Sequence, residues 1–155
     1  MDKTSLFVYG TLKRGFPAHE RVFQGENEVA EAFVRGELYD LPAGYPALIV
    51  PKKDILAFGT DDRRSDAKAQ AERVFPPGEA PGPEESVHGE IILFGDPERT
   101  LSSLDEFEGF DPDGESLYLR ALLPAWTASG KPRLVWTYVV NSPAGTRLPG
   151  GRWPP

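Results

Sequence analysis

The chain has 155 residues, no cysteine and only two histidines, His19 and His88, so a cysteine nucleophile, a disulfide framework and a Cys/His zinc site are excluded at the outset. Hydrophobic residues at 39% and aromatics at 11% suffice for the core of one domain spanning residues 1–155, while a net charge of −7 disfavours binding nucleic acid through a general basic surface. No apolar run reaches 18 residues and the start, MDKTSLFVYG, lacks a leader pattern, so a cytoplasmic protein without a membrane partner is expected.

The 16 glycines and 16 prolines favour short strands joined by many turns over long helices. All 24 acidic residues precede position 116, whereas residues 116–155 carry Arg120, Lys131, Arg133, Arg147 and Arg152 and no acid. Such a basic tail is suited to pairing internally with the acidic body.

In chain order, Ser5–Tyr9 is a short apolar run that stops at Gly10, the pattern of a buried strand entering a turn. Residues 29–40 read as a half-buried strand, with Ala30, Ala32 and Val34 alternating against polar neighbours, and Tyr45–Val50 as a third strand. Residues 51–86 contain charged doublets followed by PPGEAPGPEES, a linker composition, and are expected to form a long loop with one or two helical turns at 66–74. Within it, Lys52-Lys53 and Arg63-Arg64 stand beside acids as a solvated face. Strands follow at 87–94, 117–123 and 133–140.

The clearest helix is 97–108: Asp96 can cap it, Pro97 occupies the first helical position and Gly109 can end it. At about 100° per residue, with Leu101 at zero, Leu104 falls near 300° and Glu108 near 340°, on the apolar stripe. On the same wheel Asp105, near 40°, sits at the stripe's edge, and Glu106, near 140°, faces solvent. A carboxylate on a core face is costly unless it is paired, hydrogen-bonded or used. Two readings stand side by side: Glu108 frays into water or pairs with a base such as Arg120, or it is a partly desolvated acid whose raised pKa suits proton transfer near neutral pH.

Tyr9-Gly10-Thr11-Leu12 also has two readings: an ordinary strand-to-loop turn, or a nest of backbone N–H groups able to hold a carboxylate or an oxyanion. Asp111-Pro112-Asp113-Gly114-Glu115 lacks the spacing of a calcium loop and reads as an acidic turn. His19, in an expected loop, and His88, on a strand face with Glu90, Ile92 and Phe94, default to structural or surface roles.

Together these segments resemble the γ-glutamylcyclotransferase-like family, which includes AIG2-like proteins and γ-glutamylamine cyclotransferases. The resemblance rests on LFVYGTLKRG at 6–15, Gly36-Glu37-Leu38-Tyr39-Asp40 with Tyr45-Pro46-Ala47-Leu48, and Val87-His88-Gly89-Glu90. It continues through Leu104-Asp105-Glu106-Phe107-Glu108-Gly109, Tyr118-Leu119-Arg120, Trp136-Thr137-Tyr138 and Gly151-Arg152-Trp153. The first segment and the Leu-Asp-x-x-Glu-Gly segment are the specific ones.

The resemblance implies an α+β fold, a small mixed β-barrel with a few short helices and a cavity at one end. In its terms the backbone of Tyr9, Gly10, Thr11 and Leu12 holds a γ-glutamyl group, Glu108 is the catalytic acid/base, and Tyr118 lies beside the site, its competing reading being a strand tyrosine that fills the core. The implied reaction is attack of the substrate's α-amine on its own γ-carbonyl, giving 5-oxoproline and a free amine. It requires no cofactor and no metal, and the implied partner is a small γ-glutamyl molecule, with the protein a monomer or weak homodimer. Residues 51–86 are longer and richer in proline and charge than the resemblance leads one to expect, as a surface insertion or a lid. The alternative function is a non-catalytic member of the same fold that binds a small ligand or a protein.

Overall fold

The computed structural model describes residues 3–23, 27–111, 113–114, 116–142 and 145–154. Nine strands and three α-helices follow one another as β1 (Thr4–Val8), α1 (Pro17–Val22), β2 (Glu28–Arg35), β3 (Glu37–Asp40), β4 (Pro46–Ile49), β5 (Ala57–Phe58), α2 (Arg63–Glu72), β6 (Ser86–Phe94), α3 (Pro97–Glu108), β7 (Leu119–Thr127), β8 (Pro132–Val139) and β9 (Thr146–Arg147) among the described residues, with single 3-10 turns at Lys52–Asp54 and Pro83–Glu85.

Five strands close on themselves in the order β2-β6-β1-β8-β7, with β7 returning to β2 at its C-terminal end and β5 adding to the same edge of β7 nearer its start. The expected small mixed β-barrel is therefore present: β1–β8 is its parallel pair and the other pairings are antiparallel. Closure occurs where Ala32 faces Thr127 and Phe33 faces Trp126, and the two aromatic rings stack with centroids 6.1 Å apart. A separate three-stranded sheet, β4-β3-β9, lies beside the barrel.

Strand periodicity divides the core in two. Phe7, Ile91, Ala121, Leu123, Val135 and Val139 pack together inside the barrel and continue to Leu38 and Leu48 of the small sheet. Their neighbours in sequence, Leu6, Val8, Ile92, Leu122 and Trp136, point the other way, against Leu101 and Leu104 of α3 and Ala18 and Val22 of α1. Thus β1 is buried along its whole length, which explains its continuous apolar run.

Helix α3 has the anticipated ends. The Asp96 side chain accepts from the Arg99 N–H, Pro97 opens the helix, and Gly109 closes it in the left-handed conformation at φ 69°.

Four expectations need correction. The segment 29–40 is two strands in two sheets, divided at Gly36, and Ala30 is exposed while Ala32 and Val34 are buried. Residues 63–72 form a ten-residue helix, begun one turn earlier than the composition suggests, because the Asp62 side chain accepts from the Ser65 N–H and buried Asp66 is held by the fold. Arg63 is an ion-pair donor to Asp105 and not part of a solvated doublet. His19 is buried in α1, its Nδ1 donating to the Leu12 carbonyl at 2.8 Å. Strands β5 and β9, of two residues each, carry too short a pattern to be read in advance. Of the acidic turn at 111–115, Pro112 and Glu115 lie outside the described residues; the Asp113 N–H donates to the Asp111 side chain at 3.0 Å, and Gly114 N–H to the Asp111 carbonyl. No helix among the described residues is long and apolar enough to cross a membrane.

Candidate active site

A cavity of about 570 Å³ opens where the C-terminal end of β1, the loop after it, the start of β4, the end of α3 and the start of β7 converge. Tyr9, Gly10, Thr11, Leu12, Glu108 and Tyr118 all line it, so the fold gathers in one place residues that are up to 109 positions apart in sequence.

The loop leaves β1 under tight restraint. Gly10 lies so close to Pro46 that an added Cβ would stand 2.5 Å from the proline Cγ, and a glycine is the residue that fits. The Lys13 N–H turns back to the Gly10 carbonyl at 3.1 Å, Arg14 N–H donates to Glu90 at 2.6 Å, and His19 secures the Leu12 carbonyl. The N–H groups of Gly10, Thr11 and Leu12 take no acceptor among the described residues, and the three residues line the cavity.

Glu108 is the last residue of α3. Because Gly109 turns left-handed and Phe110 N–H donates to the Asp105 carbonyl at 2.8 Å, the helix stops abruptly and leaves the Glu108 side chain at the cavity wall. Among the described residues no cation and no hydrogen-bond donor reaches its carboxylate. Burial without a partner raises its pKa from 4.5 to about 7. Of the two readings of this residue, pairing with Arg120 is not what the fold does.

Arg120 is instead engaged by Asp105, one turn earlier in α3. The guanidinium is fully buried, donates to both carboxylate oxygens of Asp105 at 2.8 and 3.2 Å, and reaches Asp66 of α2 at 3.0 Å. Asp105 further accepts from Arg63 at 3.1 Å and from the Tyr138 hydroxyl at 2.6 Å. A buried charge of this kind is tolerable only when saturated with partners, and Asp105 is.

Two tyrosines flank Glu108. The Tyr9 hydroxyl donates to the Tyr138 carbonyl at 2.6 Å, and its pKa is raised well above the usual range by burial, then by the nearby Glu108 and Tyr118. Tyr118 donates to the Pro46 carbonyl at 2.7 Å, and burial, with Glu108 and Tyr45 close by, pushes its pKa up to about 12. Both hydroxyls stay protonated at neutral pH, and the Tyr9 oxygen also accepts from the Leu48 backbone N–H. Chemically, the cavity offers one proton-exchanging carboxyl, a row of backbone donors and two fixed phenols.

Sequence reasoning missed Tyr138, Thr137 and the mouth residues Tyr45, Phe107 and Leu117. For Tyr138 the available signal was the Trp136-Thr137-Tyr138 segment, and for the mouth it was the apolar residue Phe107 on a helix face that otherwise meets solvent. His88, Lys13 and Arg152 line a different cavity, of about 400 Å³, and do not join this site. Among the described residues no group of three or more His, Asp or Glu side chains is placed to hold a metal ion.

Comparison with known proteins places this geometry in context. The sequence profile of the family described as gamma-glutamyl cyclotransferase, AIG2-like, matches residues 6–61 and 62–155. Three solved structures share the fold. An AIG2-like protein from Mus musculus has 23% identity and a TM-score of 0.57, the match covering 93% of this chain and 81% of that one. YkqA from Bacillus subtilis has 20% identity and a TM-score of 0.59, covering 97% of this chain, which spans only 39% of that longer protein. An uncharacterized protein from Pyrococcus horikoshii has 19% identity and a TM-score of 0.54, covering 97% and 89%. The search of curated proteins returned no match.

Proposed function

The chain belongs to the gamma-glutamyl cyclotransferase, AIG2-like family, and from that premise we propose that it converts a γ-glutamyl amine or peptide into 5-oxoproline and a free amine. The observation that carries this reading is Glu108: a carboxyl without a partner among the described residues, its pKa near 7, on the same cavity as the free N–H groups of Gly10, Thr11 and Leu12.

The reaction is intramolecular. The substrate's α-nitrogen forms a bond to its own γ-carbon, the bond from that carbon to the leaving nitrogen breaks, and a five-membered lactam results. Since nucleophile and electrophile belong to one molecule, the protein's main task is to hold the folded conformer, and well-oriented reactions of this type reach effective molarities on the order of 10⁵–10⁸ M. Ionised Glu108 accepts a proton from the α-ammonium, freeing the lone pair for attack. The N–H groups of the 10–12 loop receive the negative charge that builds on the γ-oxygen. Glu108 then returns the proton to the leaving nitrogen, which departs as a neutral amine, and the second proton that the attacking nitrogen sheds as the lactam forms is taken by the again-ionised Glu108 and passed to solvent. Tyr9 and Tyr118 border the substrate, and the Tyr118 hydroxyl, held by the Pro46 carbonyl, can accept from its ammonium.

The test is incubation of the purified protein with a panel of γ-glutamyl amines and peptides, with chromatographic detection of 5-oxoproline. Stoichiometric release of 5-oxoproline and amine is expected. Saturable binding of the panel with no product from any member would instead mark a binding protein on the same scaffold.

A further inference from the structure

Of the five large hydrophobic side chains exposed among the described residues, three, Tyr45, Phe107 and Leu117, stand on the candidate active-site cavity. They are 56%, 42% and 65% exposed, whereas Phe7, Tyr9, Thr137 and Tyr138 at the other end of the cavity are buried. The cavity thus has a buried floor, in which Tyr9, Thr137 and Tyr138 stand among apolar side chains, and an open apolar mouth. Leu41 and Ala43 extend that mouth, and Glu108 is the one charged side chain in the lining.

We infer that this mouth is the leaving-group subsite and that the protein acts on γ-glutamyl derivatives of apolar primary amines, alkyl or arylalkyl, with Tyr45, Phe107 and Leu117 selecting them. This rests on the cyclotransferase reading and specifies its substrate. The glutamyl part carries an ammonium and a carboxylate and belongs at the floor, with the backbone donors and Glu108. Its γ-amide then directs the departing amine outward, between the three apolar side chains. A carboxylate borne next to the scissile nitrogen, as in a γ-glutamyl amino acid, would enter this mouth with no lysine or arginine in the lining to meet it. An apolar substituent would cover side chains that are otherwise left facing water.

The discriminating experiment measures kcat/KM by 5-oxoproline release for γ-glutamyl isopentylamide and γ-glutamyl phenethylamide against γ-glutamyl ethanolamide and γ-glutamylglycine. The apolar amides are expected to exceed the polar pair by about 10–200-fold, the range one or more added methylenes give in an apolar pocket. Phe107→Ser and Leu117→Ser, both at exposed positions where substitution spares the fold, should shrink that ratio several-fold. Equal kcat/KM across the panel, preference for γ-glutamylglycine, or an unchanged ratio in both variants overturns the subsite. If no amide yields 5-oxoproline, the proposed reaction fails, and calorimetric Kd values for the same four amides then decide the subsite. Tighter binding of the two apolar amides supports it, and no binding or no ranking by apolar surface overturns it.

Discussion

Asp105 and Glu108 stand one helical turn apart on α3, and the fold treats them oppositely: Asp105 is saturated by Arg120, Arg63 and Tyr138, while Glu108 meets no cation or donor among the described residues. The network around Asp105 ties α3 to α2 through Asp66 and to β7 and β8 through Arg120 and Tyr138. It fixes the last turn of the helix, and therefore the position from which Glu108 projects, without sharing its charge.

The first consequence concerns the pH dependence of turnover. Glu108 must be ionised to accept a proton from substrate, so kcat/KM should fall on the acid side with an apparent pKa of about 7 and a limiting slope of one. Initial rates between pH 5 and 9 measure this. An acid limb near the ordinary carboxylate value of 4.5 would contradict the assignment.

Stability should depend on pH with the opposite preference. A carboxyl whose pKa is raised on folding is favoured as the neutral acid, so its cost is absent below about 4.5, grows between 4.5 and about 7, and is constant above. Glu108→Gln removes that cost. Urea unfolding should find the variant level with the parent at pH 4 and more stable by about 2–3 kcal/mol at pH 8, after allowing for partial exposure of the side chain.

Arg120→Met should be among the most damaging single changes. It leaves Asp105 and Asp66 buried without their shared cation, for which about 3–5 kcal/mol of lost stability is expected. Chemical denaturation checks the magnitude. A loss below about 1 kcal/mol would mean that the network contributes little to holding α2 and α3.

Gly10→Ala tests the loop. The new methyl group would press on Pro46, whose carbonyl holds Tyr118, so the backbone donors must shift relative to Glu108. A drop in kcat/KM of about 100-fold is expected, since a misplacement near 1 Å can cost that much. The near-ultraviolet circular dichroism should stay native-like.

The parts of the fold legible from sequence were those governed by local pattern. The apolar run of β1, the strand β6 and the caps of α3 at Asp96 and Gly109 needed no knowledge of distant residues. Helix α2 did need it: its composition is that of a solvated segment, and what secures it is Asp66 on Arg120, 54 residues away, and Arg63 on Asp105. The division at Gly36 was hidden because both halves alternate correctly; an added Cβ there would meet the Ile49 carbonyl at 2.5 Å, a close approach only the third dimension shows. For the site, helical geometry placed Glu108 toward the core side and Asp105 at its edge. The structure buries Asp105 more deeply, since Arg120 rises from β7 directly against it.

The central claim is that Glu108 carries the proton in cyclisation, and the most direct test is 5-oxoproline release by purified Glu108→Gln on a γ-glutamyl amide that the parent protein turns over. The amide side chain preserves shape but cannot exchange a proton in this range, so the account predicts a folded variant that still binds the substrate and releases no measurable 5-oxoproline. Turnover by that variant within about 10-fold of the parent would contradict it.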